Sequence, residues 1–526
     1  MLSASREVVL RKSAVGESGA LALLLAVLIL FCRLMSTASA QDASQVWPTK
    51  GWQTSTPEEQ GMDSVELAKF IDFGGYQGID NILIARHGKI VADAYFAPFR
   101  AGATHVMYSA TKSVTGSLIA IALQEGKLDD LNHKVMDFFS DRKIENLDQN
   151  KRAITVQNLL DMTSGLDWEE GYTGRIAVFD EWTRSQDWVQ FVLDRPMKQA
   201  PGLTFNYDSG AAHLLSAIIS KLSGEPAYLY AREHLFQPLG ITDVFWSHDP
   251  QNITFGPSGL YLQPRDMAKI GYLYLRGGVW EGKRILPDGW VDKIVHASLD
   301  TNDDWATDFH YGNLFWNFPE SDAYAASGYH GERILVMPKL DIVAVITGTQ
   351  ECYADTLISY ISRSVKSDTP LPSNPVGDAL LSARIKQVAT EQPSPIRSLP
   401  DAAKAVSGRV YRFADNARRF KSISLHLTDA NPSYDFEYST PTGSPERFVR
   451  AIGLDGLYRE SAATKTGFVP AAKGTWINET AFVIKRQTLG SDDLRSWLLV
   501  FDGRKLELIS SGADGPDFVV NGEADE

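Results

Sequence analysis

His105-Val106-Met107-Tyr108-Ser109-Ala110-Thr111-Lys112 opens a run that continues through the apolar body Val114 to Leu123 and closes on Glu125-Gly126-Lys127-Leu128. The pattern predicts a helix over 114–128. Positions three apart share a helix face, so a helix that starts near Ser109 brings its hydroxyl to the Lys112 ammonium. A serine at a helix start also lies at the positive end of the macrodipole, which favours developing alkoxide charge. A neighbouring lysine can take the proton, or lower a neighbour's pKa through its charge, and this is the physical content of a Ser-x-x-Lys motif. The bland alternative is a helix-capping serine with a solvated lysine. Alone the motif is weak, because about one or two chance matches are expected in a chain this long at average composition. A second match, Ser140 to Lys143, lies in the charged stretch Phe139-Ser140-Asp141-Arg142-Lys143 with no apolar helix behind it, and reads as a decoy.

Outward from this helix, Ser64 to Phe73 is amphipathic and Ile82 to Phe96 reads as a hairpin around His87-Gly88-Lys89. Two strand-like runs, Arg333 to Met337 and Asp341 to Ile346, are joined by Pro338-Lys339-Leu340 and followed by a helical stretch from Ala354 to Lys366. A helix and hairpin at one end with a hairpin and helix at the other predict an α+β domain over 41–366. Its antiparallel sheet is completed by both chain ends and flanked by helices, with the middle as a helical insertion. From 367 to 402 prolines cluster at 370, 372, 375, 393, 395 and 400 around a short helix at Asp378 to Thr390, which is linker composition. From 403 to 526 strand alternation takes over, as in Ser422 to Leu427, Thr475 to Ile484 and Trp497 to Ile509. Asp502-Gly503 predicts a type I′ hairpin turn, and a small all-β domain, barrel or sandwich, is expected there.

The 526 residues are 22% charged and 44% hydrophobic, with a formal charge of −14 and two cysteines, Cys32 and Cys352. These values exclude a disordered chain, a broad cationic surface for nucleic acid, a disulfide framework and a thiolate metal cluster. The sequence has no Gly-x-Ser-x-Gly elbow, His-Glu-x-x-His, glycine-rich phosphate loop or tight histidine cluster, so neither a metal nor a cofactor is expected. Cys352 reads as a small residue near an apolar run, and the paired acids Asp129-Asp130 and Glu169-Glu170 as solvated faces. Ala20 to Cys32 is unbroken apolar sequence, preceded by Arg6, Arg11 and Lys12 and followed by Ala38-Ser39-Ala40. That is the grammar of a signal peptide over 1–40, cleaved after Ala40, and it predicts a periplasmic or secreted protein. The run is short of the roughly 20 residues a bilayer needs, so a retained membrane anchor is the weaker reading. Cleavage removes four basic and two acidic residues and leaves a charge of −16.

With these stretches in place, the chain resembles the serine β-lactamase and penicillin-binding superfamily, in the class C-like branch that also holds esterases, D-aminopeptidases and 6-aminohexanoate-dimer hydrolases. The resemblance covers roughly 50–366. It rests on Tyr108 to Leu128, on Ile154 to Trp168 with Leu159-Leu160-Asp161-Met162-Thr163-Ser164-Gly165-Leu166, and on Pro201 to Gly210, in that order. It implies a β-lactamase-like fold with Ser109 as nucleophile and Lys112 beside it. The family's Tyr-x-Asn triplet is matched by Tyr207-Asp208-Ser209, which makes Tyr207 a base whose phenol needs a nearby cation to ionise. Whether Lys112 or Tyr207 takes the proton stays open. Ser209 replaces the asparagine; its hydroxyl can donate to a substrate carbonyl or toward Lys112, without the amide's paired contacts. The Lys-Thr-Gly element is matched by Ala326-Ser327-Gly328, which keeps a hydroxyl and a close backbone approach and loses the lysine directed at a substrate carboxylate. The alternative register, Tyr329-His330-Gly331, lacks a lysine too.

The resemblance further implies an oxyanion hole made of the Ser109 and Tyr329 N–H groups. Tyr172 and His330 are expected to line the substrate site, on the likeness of Gly328-Tyr329-His330-Gly331 to the 6-aminohexanoate-dimer hydrolase subgroup. The expected function is hydrolysis of small or peptide-like amides or esters through an acyl-enzyme. Class C β-lactamase, DD-peptidase or D-aminopeptidase activity is the alternative, and a non-catalytic cell-wall binding protein is the rival from another class. The segment from 403, around Ala472-Lys473-Gly474-Thr475-Trp476, resembles lipocalin-like β-domains that follow some class C-like hydrolases, which implies a part that caps the site or binds a partner.

Overall fold

The computed structural model describes residues 46–526 except 171–176, 302–308, 395–398, 441–442, 465, 513–514 and 526. The expected signal peptide and Tyr172 therefore lie outside the described residues. Asp63 caps helix α1 (Ser64–Tyr76), its carboxylate accepting from the N–H groups of Val65 and Glu66. Gly78, at φ +64°, then turns the chain into a hairpin of β1 (Ile79–Arg86) and β2 (Lys89–Tyr95). His87 and Gly88 both have positive φ, as a two-residue type I′ turn requires.

The closing strands are β3 (Ala323–Ser327), β4 (Arg333–Met337) and β5 (Ile342–Gly348). β5 is buried at every position because it pairs on one side with β4 and on the other with β1, which joins the two ends of the domain. The sheet runs Gln53–Thr54, β2, β1, β5, β4, β3, Phe315–Phe318, His310–Gly312, Leu299–Asp300. It is antiparallel except that Gln53–Thr54 pairs parallel to β2. Gly271 of helix Pro264–Leu275 packs on Val343 and Ile334, while Gly74 of α1 packs on Ile82, the partner of Ile346. Val343 and Ile346 are three apart in one strand and point to opposite faces, so helices cover both sides of the sheet.

Helix α2 (Ala110–Gln124) is buried without a break from Ala110 to Ala122, the mark of a helix inside a core. It packs against α3 (Ser209–Ser223) and β3. The hairpin turn Asn313-Leu314, with positive φ at both residues, braces it further, Ser113 Oγ donating to the Leu314 carbonyl at 2.6 Å. The proline-rich stretch after 366 contains helix Pro375–Val388, which lies on α1 and β2 with Leu381 buried, so this part of the expected tether is packed structure.

From Val410 to Ala524 ten strands form one antiparallel sheet that curls into a nearly closed barrel. Ile423, Leu425, Phe482, Leu499 and Leu508 lie in its core. Near the seam the Gly474 N–H donates to the Gly453 carbonyl at 2.8 Å. The hairpin of Arg495–Asp502 and Lys505–Gly512 has Gly503 and Arg504 as its central residues, with positive φ at Gly503 alone. This is the signature of a II′ turn and corrects the expected I′. The barrel rests directly on the first sheet's domain. Arg100 donates twice to Glu460, both at 2.7 Å, and Phe468 lies 4.5 Å from the Tyr261 ring. Among the described residues no helix is long and apolar enough to cross a membrane.

Candidate active site

Ser109 stands at the N-cap of α2, yet its side chain caps nothing. Its hydroxyl instead accepts from Lys112 Nζ at 3.0 Å. Lys112 is 1% exposed, so the capping-serine, solvated-lysine alternative does not describe this pair. The ammonium also donates to the Pro257 carbonyl at 3.3 Å and lies 4.7 Å from the centre of the Tyr207 ring. It forms no ion pair among the described residues; the acidic groups that act on it, Glu170 and Asp208, do so from a distance. Burial lowers its pKa to about 8, against the opposing pull of those two acids. By contrast Ser140 and Lys143 are exposed, as a chance match would be.

Tyr207 ends the stretch that leads into α3, with its ring stacked at 6.2 Å on Trp316. Burial and the Glu170 charge push its phenol upward, against the facing Ser109 side chain, which favours its ionised form. Asp208 caps α3 by accepting from the Ala211 N–H, also accepts from Ser164 Oγ at 3.2 Å, and is raised by burial to about 7. Ser209 is 2% exposed and is not turned to an open site. Its Oγ and N–H both donate to Glu170, at 2.6 and 2.9 Å, so the expected role as a free donor to substrate gives way to holding a carboxylate.

Glu170 is the residue that sequence reasoning missed. Read as part of a solvated acidic pair, it is half-buried, accepts from Trp168 Nε1 at 2.7 Å, and acts electrostatically on both Lys112 and Tyr207. A carboxylate placed by three donors is an arranged group, whereas its neighbour Glu169 is exposed. The available signal was Ser209 itself, since a hydroxyl in place of an amide leaves room for a second polar partner.

On the other side of Ser109, β3 ends in Ser327-Gly328. Gly328 lies against the Met107 carbonyl and the Ala110 N–H, and a Cβ there would collide with that turn, so glycine is required by close approach. Ser327 Oγ is buried without a hydrogen-bond partner among the described residues. Ala326 is buried and brings no charge. The N–H groups of Ser109 and Tyr329 have no acceptor among the described residues, which leaves both free to donate. Two adjoining side chains hold left-handed backbone, Tyr108 at φ +42° and His330 at φ +59°. Such a conformation costs on the order of 1–3 kcal/mol and persists only where surroundings impose it. The Tyr329 ring, half exposed, and the His330 ring form the rim with Tyr108. Cys352 is buried and its thiol is pushed up by burial, in keeping with a packing residue.

A buried lysine against a serine at the start of a core helix, beside the end of a strand of an antiparallel sheet, is the arrangement of the penicillin-recognising serine hydrolases as a class. A sequence model of the Beta-lactamase family matches residues 73–354, more than half of the chain, and the chain belongs to that family. Over 284 residues it is 24% identical to a 6-aminohexanoate-dimer hydrolase of Paenarthrobacter ureafaciens, a match covering 51% of this chain and 71% of that enzyme. It is 27% identical over 151 residues to the D-alanyl-D-alanine-carboxypeptidase/endopeptidase AmpH of Escherichia coli, covering 25% of this chain and 39% of that relative. Among solved structures, the octameric penicillin-binding protein homologue from Pyrococcus abyssi aligns at 18% identity and a TM-score of 0.47, over 88% of this chain and all of that one.

Proposed function

We propose that the protein cleaves amide or ester bonds through an acyl-enzyme on Ser109. The observation that carries this reading is the buried Lys112 ammonium, 3.0 Å from Ser109 Oγ and paired with no carboxylate among the described residues. With its pKa lowered to about 8, a fraction of Lys112 is neutral near pH 7 and able to accept the Ser109 proton as Oγ attacks the carbonyl carbon. The negative charge that develops on the carbonyl oxygen falls to the Ser109 and Tyr329 N–H groups, where each donor is worth roughly 3–4 kcal/mol. Tyr207, kept protonated, donates to the leaving nitrogen or oxygen and is reprotonated from Lys112. Water then attacks the acyl carbon with the lysine again as base; the acyl–Oγ bond breaks, Lys112 returns the proton to Ser109 Oγ, and the acid leaves. In this reading the enzyme acts outside the cytoplasm, on the export pattern of residues 1–40, and needs no cofactor.

Within this chemistry we favour linear amides and esters over β-lactams. Ala326 supplies no cation for a substrate carboxylate, and the nearby Arg333 is engaged, donating to the Gly328 carbonyl and to Glu351. Similarity to a 6-aminohexanoate-dimer hydrolase supports an amide among the substrates. The test is a panel of activated esters, linear amides, D-amino-acid amides and a chromogenic cephalosporin, with mass spectrometry for an adduct on Ser109. Turnover of esters or linear amides, with a Ser109 adduct and slow cephalosporin hydrolysis, is expected. Fast cephalosporin hydrolysis would move the protein to the β-lactamases, and an inert, unlabelled chain would favour a wall-binding protein.

Glu170 gives this reading a pH signature. Its charge raises the Lys112 pKa, so Glu170→Gln, which keeps an acceptor for Ser209, is expected to lower that pKa further. The neutral amine then forms at lower pH, and the ascending limb of the pH–rate profile for ester acylation moves toward acid. An unmoved limb would remove Glu170 from the catalytic electrostatics.

A further inference from the structure

Residues from the barrel reach the nucleophile turn. The loop between strands Ala481–Thr488 and Arg495–Asp502 is fixed by Gly490, whose carbonyl accepts from the Val106 N–H at 2.8 Å. Gly490 lies so close to the Thr104 carbonyl that a Cβ there would collide with it, and its φ of +72° also favours glycine. Two residues further on, the Asp492 N–H donates to Tyr108 Oη at 3.3 Å, and Asp492 Oδ2 lies 3.3 Å from His330 Nε2. The same carboxylate interacts with the Tyr108 phenol, and the two contacts hold it below its ordinary carboxylate range. Tyr108 precedes Ser109 and His330 follows Tyr329, the two residues whose free N–H groups form the oxyanion hole in the reading above. Their rings meet edge to face at 5.8 Å. One barrel residue thus touches both strained residues that flank the hole.

We propose that Asp492 is a positioning residue for the oxyanion hole: by binding Tyr108 and His330 together it keeps the two left-handed turns in place, so that the Ser109 and Tyr329 N–H groups converge on one point. This rests on the acyl-enzyme reading. A hole that is loosened loses donors where charge develops and leaves ground-state binding nearly unchanged, so the cost falls on kcat.

The experiment uses the full chain with Asp492→Ala, Asp492→Asn and His330→Asn, the last chosen because asparagine tolerates positive φ. Kinetics on a p-nitrophenyl ester, the rate of Ser109 labelling by a fluorophosphonate, and melting temperature are measured for each. Asp492→Ala is expected to lower kcat by about 10- to 100-fold, below the loss of a whole donor. KM should stay within about twofold, labelling should slow in parallel and folding should be intact. Both variants keep the backbone donor to Tyr108; Asp492→Asn also keeps a side-chain acceptor for His330, which Asp492→Ala lacks, and should fall between it and wild type. His330→Asn should match Asp492→Ala and keeps the test open if one variant misfolds. Wild-type kcat in folded variants, or a raised KM with unchanged kcat, would overturn the positioning role while leaving the acyl-enzyme reading intact. A wild-type chain that neither turns over nor labels would overturn both.

Discussion

Ser109→Ala is expected to lower kcat on an activated ester by about 10⁵-fold or more, the scale seen when a hydrolase loses its nucleophile, and to abolish covalent labelling. The large size follows from what the hydroxyl does and does not do. It satisfies no helix-end N–H group, so its removal leaves α2 capped as before and the melting temperature near that of wild type. Lys112 keeps its bond to the Pro257 carbonyl, so the buried ammonium is not left without an acceptor. Residual rate would come from the two oxyanion donors alone. Ser140→Ala, at the exposed copy of the same motif, is the matched control and is expected to change nothing. Both variants are read by steady-state ester hydrolysis and intact-mass labelling. A Ser109→Ala protein with near-wild-type turnover would place the nucleophile elsewhere.

What the sequence made legible was local. Helical spacing alone put Ser109 and Lys112 on one face, and His87-Gly88 named a turn that only positive φ can close. The pairing of β1 with β5, far apart in sequence, was inferable because hairpins at both ends of one domain have few ways to share a sheet. What stayed hidden was set by contacts between distant segments. Glu170 looks like half of a solvated pair until the start of α3 brings Ser209 to it, and Asp492 looks like a loop acid until the barrel docks on Tyr108. Within the proline-rich stretch, where a short helix was expected at Asp378 to Thr390, Pro375 marks the first turn of a packed helix rather than a free tether. At Gly503 the sequence offered the right glycine, but the pairing of Asp502 with Lys505 shifts it to the first central position of the turn.

The second large effect decides which residue is the base. Lys112→Arg keeps a cation beside Tyr207 but replaces a group that can lose its proton with one that cannot at any working pH. If the neutral amine takes the Ser109 proton, arginine is expected to cost about 10⁴-fold or more in acylation, and the ascending limb expected of wild type toward pH 8 should vanish. If instead a tyrosinate is the base and the lysine serves only as its cation, arginine would retain much of the rate. The electrostatics favour the first outcome. Burial drives the ammonium toward its neutral form at about 8, while burial and Glu170 together drive the Tyr207 phenol away from ionisation, so the amine becomes available as a base well before the phenolate. Rates of ester acylation from pH 6 to 10 for wild type, Lys112→Arg and Tyr207→Phe separate the cases. A lysine base predicts that Tyr207→Phe keeps the limb near pH 8 and loses rate mainly on substrates with poor leaving groups, because such substrates need the phenol's proton and an activated ester does not. Loss of the limb in Tyr207→Phe, with Lys112→Arg active, would reverse the assignment.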